Sequence, residues 1–186
     1  MNANLSKPLR RCLPLRIVLW VLIAVLLCLM FYFSGQDGSQ SNSTSEPLAR
    51  WLMPRLDLRL EKRDAKQTRV VLEISQRIVR KFAHFSEYAL LAFLLCILLE
   101  TYGLRASGLW AWLLTVLWAV GDEVHQFFVQ ARSADWWDVA VDGSGGLAGA
   151  VCACFVVGLL IRHRLRKAER LARSTQRNGE EETMRA

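Results

Sequence analysis

Residues that build common catalytic or cross-linked sites are scarce in this chain. Its 186 residues include three histidines and five cysteines. No His-Glu-x-x-His string occurs, and there is no internal repeat, Gly-rich phosphate loop or nucleophile elbow. The cysteines, Cys12, Cys28, Cys96, Cys152 and Cys154, are odd in number and lie in or beside apolar runs, which argues against a disulfide framework. Cys152 and Cys154 fall on different faces of a helix, so packing explains them better than metal binding. A compact basic patch with interleaved aromatics is also missing. The net charge of +7 and the pI near 9.5 come from residues that flank apolar segments. That arrangement excludes nucleic acid as the expected partner and favours anionic lipid.

What the chain does have is apolar sequence. It is 53% hydrophobic with a mean hydropathy of +0.20, which fits a polytopic membrane protein better than a soluble domain. Leu13 to Phe33 carries one charge, Arg16, near its start; at about 1.5 Å per residue it crosses a core of roughly 30 Å. Pro14 suits the first turn of such a helix. No clear Ala-x-Ala site follows, so this is an uncleaved span and not a signal peptide. Val139 to Ile161 carries only Asp142, and Gly145, Gly149 and Ala153 recur there every fourth residue, a spacing for close helix contact. Phe82 to Leu99 and Ser107 to Val129 reach spanning length when their polar ends are counted, joined by a tight turn from Thr101 to Ala106 with Gly103.

The expected fold is therefore all-α: a four-span helical bundle over residues 13–161, with spans at about 13–33, 82–99, 107–129 and 139–161. An N-terminal segment, 1–12, precedes it, and a basic then acidic tail, 162–186, follows as a short amphipathic helix that frays into disorder. Lys7, Arg10 and Arg11 before the first span, Arg105 in the turn, and Arg162, Arg164, Arg166 and Lys167 after the last place both termini in the cytoplasm. The long loop 34–81 opposes this with many basic residues of its own, most of them farther from a span. Within that loop Gly38 to Thr44 reads as flexible, Pro47 and Pro54 bracket a short Trp51-Leu52 segment, and Leu56, Leu58 and Leu60 alternate with charged residues. Val70, Ile74, Ile78 and Phe82 recur at helical spacing, which predicts an amphipathic helix lying on the membrane before turning into the second span.

Set into this apolar frame are polar clusters. Removing a carboxylate from water is costly unless it is paired, so Glu87, Asp122 and Glu123 at membrane depth mark the default functional site. Successive spans run antiparallel, so Ser34 to Asp37, Lys81 to Tyr88, Asp122 to Gln126 and Arg132 to Asp142 converge on one face, expected to be extracytoplasmic. The opposite face carries no comparable set. Lys81, His84 and Tyr88 share a helix face with Glu87 beside them, Asp122 and Gln126 form an i, i+4 pair, and Asp135, Asp138 and Asp142 form a stripe. Lys81 and Arg132 are the cations that would neutralise these carboxylates. Trp136 and Trp137 are expected to anchor the outer loop, Trp110 and Trp112 the inner end of the third span, and His125 to sit at the interface.

In order along the chain, Phe33-Ser34-Gly35-Gln36, then Lys81-Phe-Ala-His84-Phe85-Ser-Glu87-Tyr88, then Asp122-Glu123-Val-His-Gln126, then Arg132, Asp135, Asp138 and Asp142 before Gly145-Gly146 resemble the pattern of the VanZ-like membrane proteins. Gln130-Ala131 replaces the Pro-Gly that often precedes the family's arginine. The resemblance implies a multispan protein of the cell membrane, whose namesake is linked to resistance to lipid-bearing glycopeptides of the teicoplanin type; it supplies no reaction. Two mechanisms then compete. In the favoured one the cluster of Ser34, Gln36, Lys81, His84, Glu87, Tyr88, Asp122, Glu123, Gln126, Arg132, Asp135, Asp138 and Asp142 binds an amphiphile, a lipid-linked wall precursor or the glycopeptide itself, without catalysis or cofactor. In the other, His84, Glu87, Asp122, Glu123 and His125 hold a metal or run acid/base chemistry on a lipid-linked substrate. Short, common strings and the nearby Lys81 charge weigh against the second. A buried ion-pair network of Asp122, Glu123 and Arg132 that only orients helices is the plain structural reading.

Overall fold

The computed structural model describes residues 13–36, 38–56, 64–129 and 136–185. These form five helices and, among the described residues, no strand: α1 Leu13–Ser34, α2 Gly38–Leu56, α3 Ala65–Tyr102, α4 Ser107–Phe127 and α5 Trp136–Arg185. The expected segments 1–12 and Leu58 to Glu61, and Arg132 and Asp135, lie outside the described residues.

α1 is apolar on every side, yet only Leu19, Ile23, Met30 and Ser34 are buried; Val18, Leu22, Val25 and Leu29 face outward. A helix apolar all round with one buried stripe needs an apolar surrounding. α1, α3 and α5 are each long and apolar enough to cross a membrane. α4, with 21 residues, is about 32 Å long, but Trp110, Trp112 and Trp118 punctuate its apolar run and Asp122-Glu123 closes it.

Two expectations for the first loop change. Residues 65–81 do not turn into the second span; they continue straight into it as one helix of 38 residues. No Pro or Gly occurs between Ala65 and Tyr102, so nothing stops the helix. The stretch read as flexible and proline-bracketed is also helical, with Pro47 and Pro54 inside α2. Local polar contacts run along the same helix: Ser43 and Thr44 donate to the Gln40 carbonyl, Ser45 to that of Ser41, and Glu46 pairs with Arg50 at 2.7 Å. Small residues do the rest. Ser41, Ser45 and Ala49, four apart, are buried where α2 packs on α3, and the Asn42 side chain and carbonyl accept from Arg80 and Gln76 at 2.6 and 3.4 Å. The tail is not a short separate helix either, because α5 runs on unbroken to Arg185.

In the bundle α3 and α5 run parallel, with α1 and α4 antiparallel to them. The α3/α5 contact is backbone on backbone. A Cβ at Gly145 would collide with the Phe85 carbonyl, and one at Gly149 with that of Ala89. α4 lies against both, its Thr115 side chain under Gly146. The α3–α4 turn is as expected. Gly103 is left-handed (φ 74°), with Gly103 N–H bonded to the Glu100 carbonyl and Leu104 N–H to that of Leu99, which ends α3 in a Schellman motif.

Candidate functional site

Tyr88 and Asp122 are the centre of the polar end of the bundle. Phe85 and Ala89 are held against the α5 glycines, so the intervening turn of α3 is fixed and Tyr88, fully buried, points to α4. Its hydroxyl donates to Asp122 Oδ2 at 3.2 Å. The same oxygen receives Gln126 Nε2 at 3.1 Å, one helical turn along α4. Two donors from two helices thus offset part of the cost of burying the carboxylate. Asp142 and Glu123 are buried near this end too, 4% and 8% exposed. The His84 ring stacks on Tyr88 with centroids 6.4 Å apart.

Lys81 forms an ion pair with Asp138, which ties the start of the apolar part of α3 to the first turn of α5. Asp138 also stands where a helix N-terminus favours negative charge. Glu87 is half-buried on the same turn as Tyr88. Gln36, just past α1, accepts from Thr44 of α2 at 3.2 Å, while Ser34 is buried with its hydroxyl unpartnered among the described residues. Tyr88, Asp122 and Gln126 are therefore brought into direct contact, Lys81 and Asp138 pair beside them, and Ser34 and Gln36 close the end of α1.

His125 takes a different direction from the other metal candidates. It faces α1, its ring 4.6 Å from that of Phe31. Among the described residues no three His, Cys, Asp or Glu side chains come together as a ligand set for a metal ion.

Sequence reasoning missed some polar contacts. Trp112, expected at the inner boundary, turns into the bundle and donates Nε1–H to the Gly143 carbonyl at 3.0 Å. The opposite end is not bare: Arg16 donates to the Thr101 carbonyl (2.5 Å) and hydroxyl (3.2 Å) and covers the Tyr102 ring at 4.3 Å. It caps the C-terminus of α3, where a cation meets unsatisfied carbonyls. A lone arginine inside an apolar run was the available signal. Nearby, Cys96 and Cys154 approach to 3.9 Å, and Ser107 donates to Glu100.

Nothing among curated proteins and nothing among solved structures matches the chain. A family model does, over residues 19–159, from the buried face of α1 to the apolar part of α5, and it takes in the whole polar end. All the motifs quoted above lie in that range, so this membrane protein belongs to the VanZ/LLP1 family.

Proposed function

We propose that the protein is a four-span component of the cytoplasmic membrane with both termini inside, and that its polar end, facing outward, binds an amphiphile or a lipid-linked envelope precursor. Through that binding it would contribute to resistance against lipid-bearing glycopeptides of the teicoplanin type. The observation that carries this reading is Asp122, buried yet bonded by Tyr88 and Gln126, with Glu123 and Asp142 buried near the same end. A purely apolar bundle would avoid the desolvation cost of three carboxylates, so their retention points to a ligand with hydrogen-bonding groups. In this reading Lys81 and Arg132 meet the ligand's anionic groups, and Asp122, Glu123 and Gln126 shape the pocket.

The experiment is the teicoplanin and vancomycin sensitivity of a susceptible Gram-positive host expressing the chain, beside Glu123→Gln at matched membrane abundance. Protection selective for teicoplanin and lost in the variant is expected. Undiminished protection after combined substitution of Asp122, Glu123 and Arg132 would overturn the reading.

A further inference from the structure

A groove of about 460 Å³ runs along the flank of the bundle between α1, α3 and α4. Leu27, Phe31, Leu91, Leu95, Leu114 and Leu117 give it apolar walls. On α4 its lining extends from Leu114 to His125, and on α1 from Trp20 to Phe31, so it is roughly 16 Å long, about half the thickness of a hydrocarbon core. That is the depth of one leaflet.

Its polar end is specific. Trp118, Asp122 and His125 line it, and both Trp118 Nε1 and His125 Nδ1 are buried without a hydrogen-bond partner among the described residues. Asp122 already receives two donors from within the bundle. Gly121 lies between these residues, and a Cβ there would meet nothing within 4 Å. A glycine inside a helix is less stable than an alanine, and neither a turn nor a close contact requires this one. Its missing side chain keeps the groove open at this end.

We propose that the groove seats one acyl chain of a membrane glycerolipid, whose ester carbonyl oxygen accepts hydrogen bonds from Trp118 Nε1–H and from His125 in its Nδ1–H tautomer as these rings turn their buried N–H groups to the groove. The apolar walls take the chain, the two nitrogens take a neutral oxygen, and the Asp122 carboxylate on the same wall disfavours a phosphate there. This rests on the amphiphile-binding reading above and names a tail subsite for it. Its experiment reads lipid alone, without antibiotic, so failure of the subsite and failure of the resistance reading are separable.

The full chain is reconstituted in vesicles of phosphatidylethanolamine and phosphatidylglycerol with a trace of phosphatidylglycerol bearing a diazirine in mid-chain, irradiated, and mapped by mass spectrometry. Adducts on the peptides holding Leu91, Leu95, Leu114 and Leu117 should exceed those at Val151 and Phe155, on the exposed face of α5, several-fold. Gly121→Leu should lower the groove adducts by roughly tenfold and leave the α5 adducts unchanged. Trp118→Phe should lower them by roughly fivefold, the weight of one hydrogen bond. Gly121→Ala, a methyl group in open space, is the variant read if Gly121→Leu does not fold, and should show an intermediate loss. Equal labelling of groove and α5 face would mean ordinary surrounding lipid only and would overturn the proposal. So would groove labelling indifferent to every Gly121 variant, or a photoreactive residue at Leu117 that crosslinks to a second copy in place of lipid.

Discussion

Asp122 depends on two donors that lie at very different distances along the chain. Gln126 is one helical turn away and its partnership was legible as an i, i+4 pair; Tyr88 arrives from another helix, and antiparallel packing was needed to foresee it. Tyr88→Phe should cost about 1 kcal/mol in thermal unfolding in detergent, because Gln126 still serves the carboxylate. Glycines divide more sharply. Gly149→Ala drives a methyl group into the Ala89 backbone and should cost about 2 kcal/mol or more, whereas Gly158→Ala meets nothing and should stabilise by about 1 kcal/mol. Melting temperatures of the two variants, measured side by side, check both. The four-residue spacing of Gly145, Gly149 and Ala153 announced a close contact. It did not say which helix would fill it, since spacing carries no partner.

At the scale of elements, the apolar helices were plain from composition, and the polar hairpin outside them was not. α2 contains Ser, Thr, Asn and two prolines, a composition that reads as loop, and it is helical because serine and alanine stripes let it lie close on α3. Tertiary packing there overrides propensity. Ala49, fully buried, is the position to test: Ala49→Leu should separate α2 from α3 at a cost of about 1–3 kcal/mol and speed amide exchange over residues 40–53, while exchange at Leu91 and Leu98 stays slow. The continuity of α3 was hidden for a different reason. Its first half intersperses charged residues among apolar ones and its second is apolar, so the pattern changes although the backbone does not.

For the whole molecule, the four-span reading makes a directional prediction. An impermeant maleimide should label Asp64→Cys in intact cells, and Arg105→Cys only after the membrane is opened. Equal labelling of both in intact cells would refute it. The membrane class was legible from hydropathy, and the convergence of motifs from alternating helix direction. The packing of α1 carries a mechanical consequence. α3, α4 and α5 interlock through glycine contacts that leave no room to slide, whereas α1 leans chiefly on α3, pinned at one end by Arg16 on Thr101 and touching α4 at the other through Phe31 and His125. The wall of the Gly121 crevice that α1 supplies is therefore its least firmly held side, while α3 and α4, locked to α5, supply the others.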